Sequence, residues 1–336
     1  MKITKAAALA SILFLLPSLA QSQSITSDLK LLVETPAVSG YESDLATKIS
    51  ENLKTYSPNR DSIGNVVITI GSGAPHRMLV TAIDEPGFVV SGITSDGYLR
   101  VQRLPQNGLP PVWNELHSAQ PVLVRARDGQ WRNGAVAGLS VHLQPGRQHP
   151  PDLGDLDNIY VDVGATSAEE VKASGIDVLS PLAIDRQLLA VGADKLSAAN
   201  VEDRFGAAAL LQLLRDIDRS KLKGTLTVAF VTQQWLGSRG ALQLMETLHP
   251  DELLFVGPMR RTLNSKPIPG SKTGTGVVIS DASSSDFAQQ LQEIAHQLRL
   301  DLCHNALLAP PITPAARRAC ATAAAAAWSG RRPARR

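Results

Sequence analysis

Three short stretches hold the residues with chemical potential. "AIDEP" sets Asp84 and Glu85 at the end of an apolar run, two residues after Ala82. "VEDRF" places Glu202 and Asp203 side by side, just ahead of a helical pattern. "TQQWL" places Gln233, Gln234 and Trp235 directly after the apolar run "TLTVAFV". In α/β sheets, chemistry gathers where strands end and loops begin. Carboxylates at such positions hold cations or move protons. Each stretch also has a plain structural reading. Asp84 suits a turn beside Pro86 and Gly87, and the Glu202–Asp203 pair suits a helix N-terminus, where acids interact well with the dipole. The glutamines suit a loop.

The elements that must position these residues follow from periodicity. "SDLKLLVETPAVSG" reads as a helix capped by Ser27 and ended by the Pro36–Gly40 break. Leu45, Ile49, Leu53 and Tyr56 recur at helical spacing, with Pro58 as the stop. "NVVITI" and "RMLVTAI" are strands separated by the turn "GSGAPH". From Phe88 to about Ala137 the texture changes to short strands, with hairpins around Ser95-Asp96-Gly97 and Asp128-Gly129. "PPVW" and "LQPGRQHPPDLGD" read as loops. From "VEDRFGAAALLQLLRDIDRS" onward, helices alternate with the strands "GTLTVAFVTQQ", "DELLFVG" and "GTGVVISD". A long helix, "SSSDFAQQLQEIAHQLRL", begins at a serine cap. Such alternation implies a sheet covered on both faces. The expected fold class is α/β, a sheet sandwiched by helices with a small β domain inserted; its mixed, barrel-bearing form is what the resemblance given below implies. Residues 25–86 and 188–308 form the α/β unit and 87–187 the insert.

Composition bounds the function. The chain has 336 residues, 43% hydrophobic, 19% charged and only 4% aromatic, so base-stacking platforms and nucleic-acid partners are not expected. Lys2 and Lys5, an apolar run from Ala7 to Leu16, and small residues at Ser18 and Ala20 read as a signal peptide over 1–20. The run is too short for a good membrane span, so a periplasmic or secreted protein without a stable span is expected. Cys303 and Cys320 are too few for a disulfide framework. The +2 charge comes from a basic alanine- and arginine-rich tail, 309–336, expected to be disordered. Its composition differs so sharply from the rest that a reading-frame change near Leu308 is one reading of it.

The stretches "LLVETPAVSGYE", "DSIGNVVI", "IDEPGFVVSGITSDGYLRV", "NIYVDVGATSAEE", "SPLAIDRQLL" and "VEDRFGAAALL" run in one order from about Leu31 to about Gly257. They resemble the tetrahedral, or glutamyl, aminopeptidase family of dinuclear zinc or cobalt metallopeptidases. The resemblance implies a zinc-exopeptidase-like sheet with an inserted barrel, and assembly into large particles. It also implies a carboxylate-bridged metal pair that polarises the scissile carbonyl and activates water. The family's His-x-Asp becomes Ala82 and Asp84, where the acid would orient the missing histidine. Asp-Asp-Arg becomes Glu202-Asp203-Arg204, with Glu202 in the bridging position. Gln-Glu-Glu becomes Gln233-Gln234-Trp235, so Gln234 replaces the general base and Trp235 a ligand. Gly257 stands where an aspartate ligand should end the next strand, and the last histidine ligand has no match.

Of the ligand set, only Glu202 remains as a candidate. Alanine, tryptophan and glycine side chains offer no lone pair for zinc, and Gln234 cannot accept and return a proton near neutral pH. A structural four-ligand zinc site yields about 10–16 kcal/mol, so losing several donors removes on the order of ten. The expected function is an exported, catalytically degenerate homologue with no cofactor, partnered by peptides or by itself. The alternative is an active, metal-dependent aminopeptidase with a rearranged site drawing on His76, His117, His142, His149, His249, His296 or His304. His142 falls where the family has a histidine in its β domain. A serine hydrolase is a third reading, but "GSRG" and "SSSD" match no nucleophile elbow.

Overall fold

A computed structural model describes residues 16–105, 109–137, 154–193, 195–257, 277–279, 286–298 and 302–304. Its main sheet has the order β1-β2-β12-β3-β13. These strands are β1 (Asn59–Arg60), β2 (Val66–Ser72), β3 (His76–Ala82), β12 (Gly224–Val231) and β13 (Glu252–Phe255). β1, β2 and β12 pair antiparallel, whereas β12, β3 and β13 pair parallel. The sheet is therefore mixed, as the family resemblance implies. β2 and β3 are consecutive in the chain but do not pair, because β12 lies between them.

Period-2 alternation sorts the strand residues into two layers. Val66, Ile68, Leu226, Val228 and Phe230 pack with Leu32, Leu45, Ile49, Leu210 and Leu211. These belong to the helices Leu16–Glu34, Ser43–Asn52 and Glu202–Asp216. Val67, Met78, Val80, Ala229 and Val231 face the other way, onto Ala241 and Leu244 of the helix Arg239–Leu248. Each face of the sheet is thus closed by helices, which suits strands with apolar residues on both sides.

The chain leaves the sheet after β3 and enters a closed barrel of order β4-β5-β8-β7-β6-β9. Its strands are β4 (Gly87–Ile93), β5 (Leu99–Leu104), β6 (Pro121–Arg125), β7 (Trp131–Ala137), β8 (Tyr160–Asp162) and β9 (Pro181–Ile184). Phe88, Val90, Leu99, Val101, Val122, Val124, Val161 and Leu182 fill the interior. Closure removes exposed strand edges, so a small six-stranded sheet is stable with a core of modest side chains. An exposed hairpin, β10 (Leu189–Val191) with β11 (Lys195–Ser197), then leads back to the sheet.

Some local expectations need correction. Ser27 is not an N-cap, because it lies inside a helix described over Leu16–Glu34. "PPVW" is not a loop throughout, because Val112–Glu115 is a short helical turn. The strand in "GTGVVISD", β14 (Val277–Ile279), pairs in parallel with β15 (Leu302–His304) and not with the main sheet. The helix expected from the serine cap spans Asp286–Gln297. His142, His149, Cys320, most of "LQPGRQHPPDLGD" and the 309–336 tail lie outside the described residues. Among those that are described, no helix is long and apolar enough to cross a membrane.

Candidate functional site

The parallel register of β12, β3 and β13 brings their C-terminal ends to one edge. Ala82 is the register partner of Val231, and Phe255 that of Val80. Ala82, the Gln233–Trp235 turn and Gly257 therefore follow three adjacent strand ends. The helix Glu202–Asp216 starts near the same edge. Gly206 on its first turns lets it approach, since a Cβ there would lie 2.3 Å from Thr81 Oγ1 and 2.4 Å from the Val256 carbonyl oxygen. The side chains of Glu202 and Asp203 lie outside the described set. Arg204 beside them is fully buried.

Asp84 is also fully buried, and its Oδ2 accepts hydrogen bonds from Ser39 Oγ at 2.6 Å and from the Trp235 N–H at 2.9 Å. Its Oδ1 is buried without a partner. Burial pushes the Asp84 carboxyl above the usual range, against the hydrogen bonds that favour its charged form.

Sequence reasoning missed Glu42. Its Oε1 accepts the N–H of Gly40 at 2.8 Å and that of Gln233 at 2.8 Å. It is 4% exposed, and burial, reinforced by the nearby negative charge of Asp84, raises its pKa to about 7. Two acids thus grip one turn, Glu42 at Gln233 and Asp84 at Trp235. That grip explains why Gln233 holds a left-handed φ of 56°, which a glutamine rarely adopts. Gln233 Oε1, Gln234 Oε1 and Ser238 Oγ are buried beside this turn with no hydrogen-bond partner. The only sequence signal for Glu42 was its place in "LLVETPAVSGYE", because a lone acid before a helix is ordinarily read as a helix-end charge.

Glu85, next to Asp84, does different work. It pairs with Arg186 and, at 3.0 Å, with Arg204, and its Oε1 accepts the Ala37 N–H at 2.9 Å. Burial alone would raise its pKa, but the two guanidiniums overcome this and hold it below the usual carboxylate range. Arg204 also donates to the Leu32 and Asp84 carbonyl oxygens, and Arg186 to that of Val33. Glu85 lies on the strand-to-barrel exit and Arg186 on the return from β9, so the group ties both crossings to the sheet.

The candidate histidines do not gather here. His76 opens β3, at the opposite end from Ala82, and its Nε2 lies 2.9 Å from Thr227 Oγ1. His117 is buried in the barrel against Phe88 and Trp113, where burial lowers its pKa. His249 ends the Arg239–Leu248 helix, His296 lies on the Asp286–Gln297 helix, and His304 ends β15. Among the described residues, no three His, Cys, Asp or Glu side chains are grouped to hold a metal ion.

Adjacent parallel strand ends, a covered mixed sheet and an inserted closed barrel define an α/β scaffold of the peptidase type. The chain belongs to the M42 glutamyl aminopeptidase family, whose model matches residues 64–314. It is 30% identical over 231 residues to the glutamyl aminopeptidase of Lactococcus lactis subsp. cremoris, covering 66% of this chain. It is 28% identical over 234 residues to the lysyl aminopeptidase of Pyrococcus furiosus, again covering 66%. The chain spans 63% of the length of each of these relatives. Its fold matches an aminopeptidase from the archaeon Desulfurococcus kamchatkensis with a TM-score of 0.72 and 25% identity, covering 85% of this chain and 80% of that one. It also matches the TET1 peptidase of Pyrococcus horikoshii with a TM-score of 0.72 and 24% identity, covering 84% of each chain. That peptidase assembles into a tetrahedron or a large octahedral shell.

Proposed function

We propose that this chain is an exported member of the aminopeptidase family that has lost its metal site and retains peptide binding. The observation that carries the reading is the donor set at the strand ends. Ala82, Trp235 and Gly257 stand where the family's ligands should be, and none has a side-chain donor for zinc or cobalt. Asp84 keeps a buried oxygen with no partner, as expected of an acid whose imidazole is gone. The residues present do not fit a two-metal centre, so no hydrolytic step is routed through one. What remains at the strand ends is a buried, hydrogen-bonded edge with unpaired amide and hydroxyl oxygens at Gln233, Gln234 and Ser238. These oxygens are enclosed, so retained peptide binding is carried over from the aminopeptidases that the chain resembles.

Titration with zinc and with cobalt by calorimetry, alongside an assay on aminoacyl nitroanilides, tests the reading. The expected result is no stoichiometric metal and no turnover. Tight binding of two ions with robust release of nitroaniline would overturn it.

Glu42 favours one second reading. A carboxyl with a pKa of about 7 at the strand ends is matched to proton transfer near neutral pH. On that reading the protein is an active metal-dependent aminopeptidase, and Glu42 supplies the proton transfer that Gln234 cannot. Nitroanilide turnover that is abolished by Glu42→Gln would support it. The periplasmic or secreted location and self-association into a larger particle are part of the proposal. The first rests on the sequence before residue 20 and the second on the assembly of the archaeal peptidases.

A further inference from the structure

A groove of about 440 Å³ lies where the barrel meets the sheet unit, lined by Tyr41, Arg125, Arg127, Asp177, Val178 and Leu179 among others. Tyr41 sits next to Glu42 on the loop that reaches the candidate site, so the two places share one loop. We propose that this groove is a peptide-binding site that takes a carboxylate on Arg127 and an adjoining apolar side chain on Val178 and Leu179.

Of the two guanidiniums in the lining, each with one carboxylate partner, only that of Arg127 is loosely held. Arg125 and Arg127 face a single lining acid, Asp177. Arg125 is fixed as a wall: it donates to Asp44 Oδ1 at 2.8 Å, and Trp131 Nε1 holds the other oxygen of Asp44 at 3.0 Å. Arg127 is held loosely. Its side chain is 65% exposed and reaches Asp177 only at 3.7 Å. Exposed ion pairs of this kind contribute little, so an incoming carboxylate can take the guanidinium, which matches it through two parallel hydrogen bonds.

The apolar rim is an independent observation. Leu179 is 63% exposed and Val178 51%. Leu179 also has a φ of 71°, a left-handed conformation that is strained for a bulky side chain. Its N–H donates to Val90 O at 2.8 Å, and the Ser180 N–H donates to Asp177 O at 3.0 Å, which holds the turn in place. Strain that displays a leucine to solvent beside an exposed guanidinium fits a site that recognises an apolar side chain. Carboxylate and apolar group together describe a peptide. The carboxylate comes either from its C-terminus or from an Asp or Glu side chain.

The ligand class rests on the peptide-binding reading above, but the site does not depend on the strand-end cleft. The test uses the full chain and fluorescent, N-acetylated hexapeptides, whose blocked amine keeps aminopeptidase turnover out of the measurement. One has a C-terminal leucine acid, one the same leucine as its amide, and one the amide with a glutamate preceding the leucine. Fluorescence anisotropy should show one or both acid-bearing peptides binding at least about tenfold tighter than the acid-free amide. Whichever acid-bearing peptide binds identifies the source of the carboxylate. Arg127→Ala should erase the difference, and Leu179→Ser should weaken all binding severalfold; both side chains are exposed, so both variants should fold. Equal binding of all three peptides, unchanged affinities in Arg127→Ala, or no binding by any peptide would overturn the proposal. None of these results would bear on whether the metal site is lost.

Discussion

The Asp84 carboxylate accepts the backbone N–H of Trp235 at 2.9 Å, joining the loop after β3 to the loop after β12. The bond makes this acid a structural fastener, whatever its family once used it for. Its second oxygen has no partner, so the two halves of the carboxylate contribute unequally. Asp84→Asn can keep its oxygen toward Ser39 and Trp235 and should change stability by less than about 1 kcal/mol. Asp84→Ala removes both bonds at once, leaving Ser39 only its longer 3.2 Å bond to the Glu85 carbonyl oxygen, and should cost about 1–3 kcal/mol. Urea unfolding separates the two; equal losses would show that the charge itself matters more than the hydrogen bonds.

Glu42 sets a pH dependence. Its carboxyl titrates at about 7 in the folded protein and near 4.5 when unfolded. Between those values the folded state binds the extra proton, so stability falls as pH rises from about 4.5 to 7 and is level beyond. The loss from this group is on the order of 3 kcal/mol. Glu42→Gln should flatten that part of the profile and be the more stable protein at pH 8. Denaturation midpoints for both proteins across this range measure it, and identical slopes would refute the assignment.

Glu85 is expected to be far less replaceable. Glu85→Gln leaves the buried guanidiniums of Arg186 and Arg204 without a counter-charge and should cost about 3–5 kcal/mol. The damage should concentrate at the crossings between sheet and barrel. Hydrogen exchange would report it as lost protection around Val33, Ala37 and Phe88, ahead of the barrel interior at Val122.

Gly206→Ala tests the close approach of the Glu202–Asp216 helix to β3. A Cβ there meets Thr81 Oγ1 at 2.3 Å and backbone at 2.4 Å. Overpacking of this kind costs about 1–3 kcal/mol, despite alanine's better helix propensity. A raised melting temperature in this variant would show that the helix sits further from the sheet.

Much of the architecture was legible in the residues. Near-continuous apolar runs in "NVVITI" and "TLTVAFV" mark strands with apolar residues on both faces, and the dense turn signals after Phe88 mark a small β domain. Strand pairing was not legible. Nothing local in "GSGAPH" tells that β2 and β3 are parted by β12, because pairing across more than a hundred residues is set by the packed helices. Ser27 misled for a related reason: a serine followed by an apolar pattern looks like a cap even when the helix runs through it.

By itself, the sequence determined the family resemblance and that Ala82, Trp235 and Gly257 carry no side-chain lone pair for a metal, since a side chain without one lacks it in any fold. Only the tertiary structure decided what the three acids are. Asp84 fastens a turn, Glu85 neutralises two arginines, and Glu42 holds a proton near neutral pH. Those characters depend on desolvation and on partners brought from distant parts of the chain, and neither is encoded in the acid or in its immediate neighbours.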